Sequence, residues 1–130
     1  MHILSDTFQG SMANRLLLNF TNHPSAEWTP EQTTAARDFA DRIEDIPFPQ
    51  VPAEWDAEQV KELAARYVDE LAAKQPVAVL CQGEFTLVYH VVQGLKRLEI
   101  PVYAACSQRN TVTQGNKKIS VFNFVRFRAY

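Results

Sequence analysis

Residues 56–106, DAEQVKELAARYVDELAAKQPVAVLCQGEFTLVYHVVQGLKRLEIPVYAAC, carry the clearest structural signal in the chain. Asp56 suits a helix N-cap. Behind it, Val60, Leu63, Ala64, Tyr67, Val68 and Leu71 recur at helical spacing, which predicts a helix to about Lys74. Pro76 closes the link. Val77-Ala78-Val79-Leu80-Cys81 is continuously apolar and short, as a fully buried central strand should be. Gln82-Gly83-Glu84 makes a turn into a further helix, about Glu84 to Leu98, with Phe85, Val88, Tyr89, Val92 and Leu95 expected to face inward. Glu99-Ile100 then leads to a strand, Pro101 to Cys106.

Working outward, Arg15 to Phe20 reads as a buried strand that leaves through a polar loop, Thr21 to Pro30. Thr29 can cap the next helix, with Pro30 at its first position and Gln32 three residues after the cap. That helix is expected to reach Ile43 and to bury Ala36, Phe39, Ala40 and Ile43. Prolines restrict Glu44 to Pro49 to a short edge strand. Downstream, Ser107 to Asn116 reads as a polar loop and about Ile119 to Phe127 as a last strand. The order is β-α-β-α-β-α-β-β. It predicts an α/β fold, a Rossmann-like three-layer sandwich with helices on both faces of a mostly parallel sheet. Right-handed crossovers give strand order 2-1-3-4, with a C-terminal antiparallel edge strand.

At 130 residues the chain suits a single domain, assigned to 13–130. Residues 1–12 show no helical or strand period, and Phe8-Gln9-Gly10-Ser11-Met12 reads as a cloning linker before a second start, or as a natural flexible arm. Hydrophobic residues make up 46%, which excludes a disordered chain. No apolar run of about 18 residues predicts a membrane span. No signal peptide is visible, and two distant cysteines point to reduced thiols in a cytoplasmic protein.

The net charge of −2 hides an uneven distribution. Residues 1–95 hold 6 basic and 14 acidic side chains; from Lys96 onward 7 basic residues stand against Glu99 alone. Tyr103, Phe122, Phe124, Phe127 and Tyr130 interleave with this basic segment. On a regular strand Phe122 and Phe124 share a face with Arg126 and Arg128. Cations with aromatics suit phosphates and stacked bases. The same pattern also fits an edge strand guarded by charge, or a dimer seam that matches basic to acidic surface.

Open α/β sheets bind ligands beyond the carboxyl ends of their strands. Three segments are expected there. After the first strand come Thr21, Asn22, His23 and Ser25. After the third come Gln82, Gly83, Glu84, Phe85 and Thr86, and after the fourth Ser107, Gln108, Arg109 and Asn110. The helix start after Gly83 offers free N–H groups to a phosphate. Each feature also has a structural reading: Gly83 as a tight turn, Glu84 as a partner of the helix dipole, Thr21 and Asn22 as caps of their own loop. His23 is the best titrating candidate, because histidine changes charge near neutral pH. No GxGxxG, Walker A run, GxSxG elbow or zinc spacing is present. Cys81 and Cys106 end neighbouring strands, where buried structural cysteines are common.

The β-α-β-α-β-α-β core with Thr21-Asn22-His23-Pro24-Ser25, Gly83-Glu84-Phe85-Thr86 and Ser107-Gln108-Arg109-Asn110 resembles a stand-alone CARF-like protein, of the small ring-nuclease type found with type III CRISPR systems. The resemblance covers Met12 to Tyr130. It implies a homodimer that binds a cyclic oligoadenylate across its two-fold axis and cleaves it without a metal or other cofactor. A ribose 2′-OH attacks the adjacent phosphate in that chemistry. The family offers no universal catalytic motif to carry over, so the roles follow from the expected convergence of these segments at the strand ends: Arg109 and the Gly83 amide contact phosphate, Thr21, Asn22, Glu84 and Thr86 orient ribose, His23 is an acid or base, and His23, Glu84 and Arg109 form the catalytic set. The glutamate after the third strand departs from what a phosphate site favours. Two other classes stay open: a non-catalytic module that sequesters the same ligand, and a small interaction protein without one.

Overall fold

Two short apolar runs organise the molecule, a computed structural model that describes residues 14–130. The arm or linker expected over residues 1–12 lies outside the described residues. Every residue of β1 (Leu16–Phe20) and β3 (Ala78–Cys81) is buried. Their side chains alternate between two cores, as the two-residue strand period requires. Leu16, Leu18, Phe20, Val79 and Cys81 join one core with residues of α2 (Ala57–Ala73) and α3 (Phe85–Arg97). Leu17, Ala78 and Leu80 join the other with Trp28, Ala36 and Ala40. Burying each large aliphatic side chain contributes roughly 1.5–3 kcal/mol, so these apolar strand residues anchor the fold.

The sheet has five strands in the order β2-β1-β3-β4-β5. β2 (Arg42–Asp45), β1, β3 and β4 (Val102–Gln114) run parallel, and β5 (Lys117–Ala129) pairs antiparallel with β4 at the edge. The expected strand order and the antiparallel last strand are therefore both present. The expected capping of α2 is present too. The Asp56 carboxylate accepts from the Gln59 N–H at 2.9 Å, and the Gln59 side chain accepts from the Asp56 N–H at 2.9 Å.

Three expectations need correction. The first helix, α1 (Pro30–Arg37), stops well short of Ile43. The Arg15 carbonyl accepts from the backbone N–H groups of Asp41 and Arg42 at 2.7 and 3.0 Å. The Asp41 carboxylate accepts from the Arg15 backbone N–H at 2.9 Å. These bonds pull the chain alongside β1, so Ile43 enters the core from a strand. Ala36, Phe39, Ala40 and Ile43 nevertheless meet in one core, as expected.

On α3, Phe85 and Tyr89 were expected inward but are 88% and 58% exposed. Leu87 and Val91 are buried in their place. The helix is apolar on two adjacent stripes, and packing against α2 selects between them. Gly94 lies on the Leu87–Val91 stripe, where a Cβ would come within 2.7 Å of Val68. Only that face allows the two helices to approach so closely.

The polar segment expected as a loop, Ser107 to Asn116, is mostly strand. β4 continues to Gln114, and Gly115-Asn116 forms a two-residue turn into β5. Gly115 has φ +62°, a conformation glycine adopts without strain. β3 pairs with β4 only at Val102 and Tyr103, so the rest of the hairpin projects past the sheet as an arm. Among the described residues, Cys81 and Cys106 carry free thiols. No helix of the described residues is long and apolar enough to cross a membrane.

Candidate functional site

A cavity of about 610 Å³ opens beyond the carboxyl ends of β1 and β3, beside Ala105 and Ser107 within β4. Its first wall is the loop after β1, which a buried polar network holds in place. Asn19 is fully buried, and its Nδ2 donates to the His23 carbonyl at 2.8 Å and to Asp45 Oδ1 at 2.9 Å. Thr21 Oγ1 donates to Asn19 Oδ1 at 2.8 Å and accepts from the His23 N–H at 3.0 Å. The Trp28 indole donates to the His23 carbonyl at 3.1 Å. Two donors, Asn19 and Trp28, thus converge on the His23 carbonyl while Thr21 accepts from its N–H, and a buried network satisfied in this way is rigid. It leaves the His23 side chain exposed at the cavity edge.

Gln82 and Gly83 form the floor. The Gln82 amide donates to the Ala105 carbonyl at 3.2 Å, and its oxygen accepts from the Ala105 N–H at 2.9 Å. A side chain thereby continues the β3–β4 pairing where the backbone of β3 departs. At Gly83 a Cβ would stand 2.6 Å from the buried Phe48 ring, so close approach explains the glycine.

The third wall depends on a bulge. Cys106 pairs with Arg126, but Ser107 pairs with Phe124, which leaves Val125 without an opposite residue. One extra residue reverses the side-chain parity of β5. Phe124 and Phe122 therefore turn to the side of Phe127, away from Arg126 and Arg128, contrary to the regular-strand expectation. Phe124 packs 5.0 Å from Phe127, whose ring is 6.3 Å from that of Trp28. Phe122, Phe124 and Trp28 line the cavity together.

The sequence matches the family model described as Uncharacterized protein MJ1673 family over residues 15–128. The chain belongs to the MJ1673 family. No curated protein and no solved structure matches it.

Of the residues expected at the site, this MJ1673-family fold brings together Thr21, Asn22, His23, Gln82, Gly83 and Ser107 around the cavity. Ser25, Glu84, Phe85, Thr86, Gln108, Arg109 and Asn110 do not line it. The Ser25 N–H and hydroxyl are engaged by the Asp45 carboxylate. The Glu84 carboxylate caps α3, accepting from the backbone N–H groups of Thr86 and Leu87 at 3.1 and 2.9 Å and from the Thr86 hydroxyl at 2.7 Å. Desolvation raises the pKa of this carboxyl, and the bonds from Leu87 and Thr86 outweigh it, so the net shift is downward. The helix start is thus occupied by its own carboxylate. Arg109 shares the strand face of Ser107, but its guanidinium donates to Ser120 Oγ at 3.1 and 2.9 Å.

Sequence reasoning missed Glu27, Trp28, Thr29 and Gln32, which line the cavity from the segment that enters α1. It treated that segment as a connection, although a tryptophan in a polar loop signals a buried anchor. Cys81 is no nucleophile in this setting. Burial pushes its thiol up to about 12, and the Tyr130 hydroxyl donates to its carbonyl at 2.7 Å. Among the described residues, no three His, Cys, Asp or Glu side chains gather as a metal site.

Proposed function

We propose that the chain is a cytoplasmic ring nuclease that binds a cyclic oligoadenylate in this cavity, as a homodimer of Rossmann-like three-layer domains, and so ends type III CRISPR signalling. One observation carries the reading: the rings of Trp28, Phe122 and Phe124 share one cavity with the hydrogen-bonding side chains of Asn22, His23 and Gln32. Aromatic faces stack on bases, and fixed polar groups orient them and the ribose hydroxyls. The cavity has room for part of an oligoadenylate ring, which fits a ring shared between two protomers.

In the proposed reaction the ribose 2′-oxygen forms a bond to the adjacent phosphorus and the 5′-oxygen leaves. The products are a 2′,3′-cyclic phosphate and a free 5′-hydroxyl. The proton lost by the 2′-hydroxyl must be accepted, and the leaving oxygen must gain one. His23 is the cavity imidazole able to take a proton or give one. Its backbone is held by Asn19, Thr21 and Trp28, so the loop presents it in a fixed place.

A second reading, a module that only sequesters the ring, is favoured by one feature. Among the described residues, no Lys or Arg lines the cavity to stabilise charge on the reacting phosphate. Incubation with cyclic tri-, tetra- and hexa-adenylate followed by product analysis separates the two. Linear products that disappear in His23→Ala, with binding retained, support the nuclease. Tight binding with an intact ring supports the sequestering module. Absence of binding to all three rings rejects both.

A further inference from the structure

Among the described residues, no strand beyond β4 and β5 themselves pairs with the β4–β5 arm past Tyr103. From Ser107 to Gln114 it projects eight residues, on the order of 25 Å at about 3.3 Å per residue. A two-stranded hairpin is marginally stable alone in water. Val112 pairs with Ile119 at its tip, and Val112, Ile119, Val121 and Val125 are exposed. Such an apolar run is ordinarily covered.

Charge identifies what covers it. Residues 100–130 carry 5 basic side chains and no acidic one, and Lys117 and Lys118 sit at the tip. Residues 14–99 carry 14 acidic against 8 basic side chains. Because β1, β3 and β4 are parallel, the helices that follow β1 and β3 begin at the end of the sheet from which the arm projects. Exposed Glu27 and Glu31 lie there at the entrance to α1. The acidic surface that matches the arm is therefore on the chain itself, but it adjoins the base of the arm, where Glu27 shares the cavity with Ser107 and Phe124, and not the tip that carries Lys117 and Lys118. A second copy, turned about a two-fold axis, brings each arm to the other's acidic end in one self-complementary contact.

We propose that two copies associate by laying the arm of each across the carboxyl end of the other's sheet, so that Lys117 and Lys118 of one protomer reach the cavity mouth of its partner. The role at the cavity rests on the function proposed above; the association rests on the arm alone. It supplies the cations that the cavity of a single chain lacks.

Sedimentation velocity of the full chain at low micromolar concentration, without nucleotide, tests the association. The wild type is expected to run as a dimer, and Lys117→Glu with Lys118→Glu as a folded monomer by circular dichroism. Adding Glu27→Lys and Glu31→Lys to that variant is expected to restore the dimer. A monomeric wild type, a dimer that survives the lysine reversal, or a reversal that the glutamate changes do not rescue would each overturn the proposal. Binding of cyclic tetra-adenylate by a monomeric wild type would refute the arm contact and leave the proposed ligand standing. A dimer that binds no cyclic oligoadenylate would do the reverse.

Discussion

β3 has four residues, all buried, whereas β4 and β5 have thirteen each and leave most of theirs in solvent. β3 is flanked by strands on both sides and by a core on each face, so every side chain is committed to packing. Among the described residues, the arm pairs only with its own second strand. The first region holds the molecule together; the second places aromatic rings at the cavity and cations beyond it. The energetic consequence is that stability and the cavity rings of Phe122 and Phe124 reside in different strands of one sheet.

Truncation should expose this contrast most strongly. Leu80→Ala in β3 removes a side chain that is 1% exposed and is expected to cost roughly 2–5 kcal/mol in denaturant unfolding. Thr113→Ala near the arm tip should fall within about 0.5 kcal/mol of wild type. Equal effects would remove the distinction between the two regions.

The next effect lies where the core becomes the site. Asn19→Ala deletes a fully buried amide and leaves the Thr21 hydroxyl and the His23 carbonyl short of partners. A loss of roughly 1–3 kcal/mol is expected, with weakened ligand binding in the same variant. Gly83→Ala places a methyl group against the Phe48 ring and is expected to cost roughly 1–3 kcal/mol by overpacking. Unchanged stability would mean that Phe48 moves aside freely.

A smaller effect, at the α3 cap, is pH-dependent. Glu84→Ala should cost about 1 kcal/mol through loss of the α3 cap. The folded pKa of Glu84 is lowered, so its contribution is present above the ordinary glutamate value and lost as pH falls through the folded one. The difference between wild type and Glu84→Ala should therefore shrink on acidification below about pH 4. A difference that grows on acidification would contradict the capping role.

The same contrast explains what could be read from sequence. β1, β3 and α2 were legible because burial writes itself as apolar runs and helical spacing. The strand order followed from their alternation. The arm was not legible, because Ser107 to Gln114 is polar on both faces and carries no core signal. Its one local mark is Gly115-Asn116 between two alternating runs, a hairpin turn signal. The faces of α3 were misjudged because two apolar stripes compete, and only the contact of Gly94 with Val68 selects one. The loop after β1 lines the cavity through Thr21, Asn22 and His23. The parity of Phe122 and Phe124 was not legible, since a bulge at Val125 leaves no mark in residue spacing.

The proposed cyclic oligoadenylate would occupy the cavity walled by Trp28, Phe122 and Phe124. Trp28 reports on it directly once the second tryptophan is removed by Trp55→Phe. Titration of that variant with cyclic tri-, tetra- and hexa-adenylate should give a saturable change in Trp28 fluorescence with at least one ring, abolished by Phe124→Ala. No change with any of the three, or a change that survives Phe124→Ala undiminished, would contradict the account.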